Sequence, residues 1–386
     1  MSIRNFAVKL ICAATPVRHN RVVFQSYYGR GYSDSPKAIC EVLRQSGENL
    51  DLVWLCKDEA AAKTLPEGVR AVPATGLKKL RAMASAKVWV DNCRKYESIK
   101  KKGQIYMQTW HGFPLKKIEA DVADKLEPAY VEACKRDSAQ CDVMVSGSGF
   151  MTKLYREVFW YQGAVANIGT PRNDVFFTDH TILHTKVCKA FGLPEDRKLA
   201  LYAPTFRADH SVDAYRLDAD MVRRKCEENF KGEWTVLIRL HPNVAAKSAG
   251  LFAYDGDRLV DATAYPDMQE LLCAAGLLIT DYSSSMFDYG LTGKPVVQFA
   301  VDIAAYQKDR DFYFPLDQLP FPLARSNAEL ETILTDLQPL WTSSDWASFT
   351  REHEFCEDGQ ASVRCAAIIL QNIFKERKGS EKTPAL

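Results

Sequence analysis

Two histidines stand where the residue pattern could support proton transfer. His111 lies in Gln108-Thr109-Trp110-His111-Gly112-Phe113-Pro114-Leu115-Lys116-Lys117, directly after the apolar run 104–109. His241 lies in Ile238-Arg239-Leu240-His241-Pro242-Asn243, directly after a second apolar run, and Pro242 there would stop the strand. Imidazole is the side chain whose ordinary pKa suits acid–base work near neutrality. Gly112 permits close backbone approach beside the first of them. A structural histidine in a turn is the alternative reading for either one alone.

Two further segments could hold an anion. In Ile279-Thr280-Asp281-Tyr282-Ser283-Ser284-Ser285-Met286-Phe287-Asp288-Tyr289 a strand runs into serines that open a helix. Free N–H groups of a first turn, hydroxyls and the helix dipole together suit phosphate. An ordinary capped helix is the bland alternative. In Tyr202-Ala203-Pro204-Thr205-Phe206-Arg207 a strand leads to a hydroxyl and a guanidinium, and arginine takes phosphate oxygens in a fork. An ion pair with Asp209 is the competing use of Arg207. Tyr32-Ser33-Asp34-Ser35-Pro36 reads as a helix start, with Ser35 as cap and Pro36 in the first turn. Gly29-Arg30-Gly31 and Gly147-Ser148-Gly149 lack the third glycine of a dinucleotide fingerprint, and no P-loop pattern occurs.

These residues need strands to aim them. Strands are expected at 21–26, 51–55, 87–91, 104–109, 142–146 and 164–168, and in a second series at 198–203, 234–240, 258–261, 276–280 and 295–299. Helical patterns sit between them, and in open α/β sheets the carboxyl ends of such strands carry the ligand. Two series imply two Rossmann-like domains, 1–180 and 181–378, with the junction in 170–183. Three helices, 327–337, 345–355 and 359–374, close the chain, and the last of them could pack back across the junction.

The chain has 386 residues, 47% hydrophobic and 26% charged, which fits two globular domains and excludes a disordered protein. No apolar run is long enough to span a bilayer; the best, 6–17, is interrupted by Lys9 and is poorly shaped as a signal peptide. The 11 scattered cysteines, with no CxxC, argue against a zinc site and a disulfide framework and suit a reducing cytosol. Residues 1–180 hold 27 Lys+Arg against 19 Asp+Glu, and residues 181–386 hold 23 against 30. The basic half is suited to an anionic partner.

Taken in order, the motifs resemble the CDP-glycerol glycerophosphotransferase family, the teichoic-acid primases and polymerases. The matching segments are Trp110 to Lys117, Gly169-Thr170-Pro171-Arg172-Asn173-Asp174, Tyr202 to Arg207, Arg239 to Pro242, Thr280 to Tyr289 with Lys294-Pro295, then Tyr306, Arg310 and Phe312-Tyr313-Phe314, and Asp358-Gly359-Gln360-Ala361-Ser362-Val363-Arg364. Phe113 stands where a small hydroxyl residue is common, and Glu119 where a glycine often follows. The resemblance implies an α/β protein of GT-B type, two Rossmann-like domains facing across a cleft, with C-terminal helices. It implies a catalytic unit without the extra N-terminal region of the long polymerases.

The implied reaction moves glycerol phosphate from CDP-glycerol to a hydroxyl of a lipid-linked or polyol-phosphate acceptor and releases CMP, with no cofactor and no metal. A CDP-ribitol enzyme, a nucleotide-sugar glycosyltransferase on the same fold and an inactive binder of anionic glycans or lipids are the alternatives. His111 would be the base and His241 the donor-side acid or pyrophosphate holder. Ser283, Ser284, Arg207, Arg239, Arg310 and Arg364 would serve the donor phosphates, with Asp281 orienting its neighbours. Gly112, Lys116 and Lys117 would lie on the acceptor side. The implied location is cytoplasmic and peripheral to the inner face of the membrane, with no nucleic-acid partner.

Overall fold

The computed structural model describes residues 3–96, 99–207, 213–241, 250–309, 311–339 and 343–380. Arg310, Asp209, Pro242 and Asn243 therefore lie outside the described residues. The chain forms two compact units. The first comprises residues 1–111, 119–174 and 355–386; the second comprises 112–118 and 175–354.

The first unit is built on seven parallel strands: β1 (Arg18–Gln25), β2 (Asp51–Cys56), β3 (Val69–Pro73), β4 (Ala86–Asp91), β5 (Ile105–Gln108), β6 (Val143–Ser146) and β7 (Ala164–Asn167), in the order β3-β2-β1-β4-β5-β6-β7. This is doubly wound order, with its switch point between β1 and β4. β4 is buried along its whole length, as a central strand covered on both faces must be, so it reads as a nearly continuous apolar run. β3 was not expected from the sequence. It is an edge strand with only Val69 and Val72 buried, too short a signal for periodicity. The 6–17 segment enters a helix, Ile3–Ala14.

The second unit repeats the plan with β8 (Lys198–Tyr202), β9 (Trp234–Ile238), β10 (Leu259–Asp261), β11 (Leu277–Thr280), β12 (Val296–Phe299) and β13 (Leu323–Ala324), in the order β10-β9-β8-β11-β12-β13, all parallel. Its switch point lies between β8 and β11. β13 is two residues long and was also unforeseen.

The division of the chain differs from 1–180 and 181–378 in three places, of which the smallest is that 175–180 fall in the second unit. The final helix, Ala361–Ser380, belongs to the first unit: Cys365, Ala366, Ile369 and Ile373 form one helical stripe in the same core as Phe24, Ile39 and Trp54. Its start is held by the carboxylate of Asp174, which accepts from the Ala361 N–H at 3.0 Å, the Ser362 N–H at 2.7 Å and the Ser362 hydroxyl. Glu357 accepts from the Thr170 N–H at 2.9 Å and the Asn173 amide at 3.3 Å. The 169–174 and 358–364 motifs are thus two halves of one clasp.

Residues 112–118, expected in the first domain, belong to the second unit. The Lys117 N–H donates to the Asp311 carbonyl and the Tyr313 N–H to the Leu115 carbonyl, each at 2.8 Å. Phe113 is buried among Phe287, Phe314 and Phe349, with ring centroids 4.7, 5.8 and 6.0 Å away. Its replacement of a small hydroxyl residue is accounted for by this aromatic core.

Candidate functional site

In the first unit, the turn after β5 carries His111. Its Nδ1 is 2.7 Å from the carbonyl oxygen of Asn92, which follows β4. A carbonyl only accepts, so Nδ1 carries the proton and Nε2 keeps its lone pair. The ring stacks on Trp110 at 4.3 Å and lies 5.9 Å from Tyr27. Burial lowers the His111 pKa and so favours the neutral ring; the Asn92 bond, which favours the charged form, offsets this only in part.

The backbone of His111 is held as firmly as its ring. The Arg172 guanidinium donates to the His111 carbonyl at 2.8 Å and to Asp34 Oδ2 at 2.7 Å. Asp34 also accepts from the Tyr27 hydroxyl at 2.6 Å and the Ser35 N–H at 2.7 Å. Burial alone would raise the Asp34 pKa; Arg172, Tyr27 and Ser35 outweigh it and hold the carboxyl below its usual value.

The helix there begins at Asp34, with Ser33 before it and no side-chain cap. Ser35 is therefore not the cap: its hydroxyl accepts from the Arg172 N–H at 3.3 Å instead. Tyr27, Asp34 and Trp110 have φ of 44°, 63° and 54°, left-handed conformations that cost non-glycine residues about 1–2 kcal/mol each. Such strain clusters at functional sites. Tyr27, Asp34, Asn92 and Arg172 were not singled out as site residues. Arg172 stood in a motif and Asp34 in the helix start at 32–36; the roles of all four become visible only when the ends of β1, β4 and β5 are brought side by side.

Glu119 adopts φ of 55°, which explains why glycine is common there. Here its carboxylate takes the fork of Arg94 at 2.9 and 3.4 Å, and Arg94 also pairs with Asp137 at 3.2 Å, all three side chains at most 3% exposed.

In the second unit, the switch-point loops after β8 and β11 carry Arg207 and Asp281. Arg207 does not present a free fork. It donates to Asp302 at 2.6 and 3.0 Å, to Asp281 at 2.8 Å and to the Thr205 carbonyl at 2.6 Å, with its guanidinium 4.8 Å from the Tyr282 ring centroid. Burial works against its charge, but the two carboxylates outweigh that and raise its pKa. Asp281 also accepts from the Thr205 N–H at 2.8 Å. The pair shapes the loop. Thr205 Oγ1, buried there, has no hydrogen-bond partner among the described residues.

His241 follows β9, and its ring lies 5.2 Å from Phe206. Arg239 is anchored by its N–H on the Tyr202 carbonyl at 2.8 Å and by its guanidinium on the Tyr265 carbonyl at 3.2 Å. The helix after β11 runs Ser285–Gly290. The Ser285 hydroxyl is 2.9 Å from that of Ser283, and Ser284 makes no side-chain cap. Thus Arg207, Arg239, His241, Asp281, Ser283 and Ser284 all follow the carboxyl ends of β8, β9 or β11.

Four expected site residues fall elsewhere. Arg364 belongs to the first unit, where it pairs with Asp358 at 2.5 Å and reaches the Ile168 carbonyl at 3.2 Å. Lys116 and Lys117, with Gly112, lie in the second unit; the Lys116 ammonium is 5.3 Å from the Tyr306 ring centroid. Among the described residues no group of three or more His, Cys, Asp or Glu side chains is arranged to hold a metal ion.

A family model described as CDP-Glycerol:Poly(glycerophosphate) glycerophosphotransferase matches residues 7–371. A teichoic acid poly(glycerol phosphate) polymerase of Bacillus subtilis (strain 168) is 31% identical over 95% of this chain, which spans 50% of that relative's length. A teichoic acid glycerol-phosphate transferase of Staphylococcus aureus (strain NCTC 8325 / PS 47) is 30% identical over 92% of this chain and 93% of its own. The solved structure of the wall teichoic acid polymerase TagF is 28% identical, with a TM-score of 0.83 over 97% of this chain and 95% of that one. The fold is of the GT-B type.

Proposed function

From the premise that the chain belongs to the CDP-glycerol:poly(glycerophosphate) glycerophosphotransferase family, we propose that it transfers glycerol phosphate from CDP-glycerol to a hydroxyl of a polyol-phosphate or lipid-linked acceptor. The observation that carries this reading is the Asn92 carbonyl on His111 Nδ1, which leaves Nε2 as a base. The acceptor oxygen attacks the β-phosphorus of the donor, its proton passes to His111 Nε2, and the bond from the β-phosphorus to the bridging oxygen breaks. CMP leaves with that oxygen. Phosphoryl transfer asks mainly for positioning and charge stabilisation.

His241 serves the donor pyrophosphate, with Arg239, Ser283, Ser284 and the unpartnered Thr205 hydroxyl as its neighbours in chain and sheet order. Arg207 and Asp281 are positioning residues, since each is occupied by the other. Arg364 and Lys116–Lys117 hold their own units together in this reading. The relatives named for glycerol phosphate favour glycerol over ribitol as the transferred polyol.

Peripheral attachment to an anionic inner membrane face is part of the proposal. No helix among the described residues is long and apolar enough to cross a membrane, and residues 1–180 are the basic half of the chain.

The test is CMP release from CDP-glycerol, with CDP-ribitol and a UDP-sugar in parallel and a short glycerol-phosphate oligomer as acceptor. Acceptor-dependent CMP release that is lost in His111→Ala and in His241→Ala is expected. Turnover of the UDP-sugar alone would overturn the reading.

A further inference from the structure

A cavity of about 690 Å³ opens in the first unit, away from His111. It lies among the helix Ile3–Ala14, the helix Gly76–Ser85, the start of β1 and the edge strand β3. Its volume falls within the ~300–1,000 Å³ of small-molecule sites. Five cations line it, Arg18, Arg21, Arg70, Lys78 and Arg81, and no acidic residue does. Asp51 alone answers two of them, Arg21 at 2.6 Å and Arg70 at 3.0 Å. The side chains of Arg18, Lys78 and Arg81 have no ion-pair or hydrogen-bond partner among the described residues.

Like charges gathered in one concavity repel, each pair by ~1 kcal/mol at 4 Å even in water. A bound anion would relieve that repulsion, and arginine forks match phosphate oxygens in geometry. The cavity is not part of the transfer site. Arg18 and Arg21 stand at the amino end of β1, whereas His111 follows the carboxyl end of β5 in the same parallel sheet. Strands of about six residues separate the two edges by ~20 Å.

We propose that this cavity is a second anion site, which takes phosphate groups and so holds a phosphodiester-bearing ligand at a distance from the reacting atoms. Two sources share that chemistry: a polyol-phosphate chain and a phospholipid headgroup. The proposal does not depend on the transfer reading, because it is tested by binding.

The full chain is titrated at low ionic strength with inorganic pyrophosphate and with a glycerol-phosphate oligomer by calorimetry, and with phosphatidylglycerol–phosphatidylcholine vesicles by sedimentation. The variants are Arg18→Gln/Lys78→Gln/Arg81→Gln and, independently, Ala71→Glu, which places a carboxylate on the cavity wall while leaving the cations intact. Circular dichroism confirms that each is folded. A loss of about tenfold in affinity for the oligomer, the vesicles or both is expected in both variants, with CMP release to free glycerol unchanged. A loss for the oligomer assigns the site to a polyol-phosphate chain, and a loss for vesicles assigns it to headgroups. Unaltered binding of all three probes by both folded variants would overturn the proposal. Failure of CMP release in the wild type would sink the transfer reading and leave this one standing.

Discussion

The imidazole Nδ1 of His111 lies 2.7 Å from the carbonyl of Asn92, and that single contact decides which ring nitrogen holds the proton. The donor of the bond is the histidine, because the carbonyl has no proton to give. Nε2 is therefore the basic nitrogen, and the neutral ring is the form the protein favours, since burial lowers the pKa from its ordinary 6.5.

The pH dependence follows from the sign of that shift. The base must be unprotonated, so kcat/KM for CMP release should fall only on the acid side, with a midpoint below 6.5. His111→Ala should cost about 10²–10⁴-fold, the usual worth of a general base. An acid limb centred above 6.5 would remove His111 from that role.

Asp34 and Arg172 test what holds the histidine. Their side chains are 3% and 6% exposed, so Asp34→Ala takes the paired carboxylate away from a buried guanidinium, at a cost of about 3–5 kcal/mol in denaturant unfolding. The Asp34 pKa is depressed in the folded state, so its contribution is present above the ordinary 3.8 and is lost as pH falls through the folded value. The gap between wild type and variant should close over that acid range. A gap that is constant with pH would show that the carboxylate charge is not what stabilises.

Glu119 combines strain with a buried ion pair, and two substitutions separate them. Glu119→Ala loses the Arg94 contacts and keeps the left-handed backbone; Glu119→Gly loses the same contacts and relieves the backbone. Both should destabilise, with glycine the milder by about 1 kcal/mol. Equal losses would show that the backbone there relaxes freely.

Arg207 should behave as a structural cation. Arg207→Ala strands Asp281, whose side chain is 1% exposed, and should cost about 3–5 kcal/mol. Asp302→Ala should cost less, because that carboxylate is 23% exposed and Asp281 still pairs with the arginine. A folded Arg207→Ala of wild-type stability, impaired only in donor KM, would return Arg207 to the phosphate.

Gly147 sits against the clasp that holds the last helix. A Cβ there would collide with Thr170 Oγ1 and with Glu357 Oε1, which accepts from the Asn173 amide of the clasp. Gly147→Ala should destabilise by about 1–3 kcal/mol, as overpacking does, and expose the 361–380 helix to limited proteolysis. Unchanged stability and cleavage would place the helix's anchorage elsewhere.

Much of this molecule was legible in the residues alone. Parallel strands buried on both faces must be apolar throughout, so Asp51–Leu55, Lys87–Asp91 and Leu277–Thr280 announce themselves. A polar residue just beyond such a run marks a sheet's carboxyl edge, which is what makes His111, His241 and Asp281 candidates. The edge strands Val69–Pro73 and Leu323–Ala324 were not legible, being short and half exposed.

What only the tertiary structure decided is which group each charge and each apolar stripe meets. Local sequence shows that Gly359–Phe374 has a buried face, but not that this face completes the core containing Trp54. It offers Arg207 to a phosphate or to Asp209, whereas the described structure pairs it with Asp281 and Asp302, 74 and 95 residues away in the chain. It places Asp34, Asn92 and Arg172 far from His111, although all three bond to it or to one another. Periodicity reports how a segment is solvated. The partner of a charge or a lone pair is set by which strand ends the sheet order brings together, and that order is a long-range property.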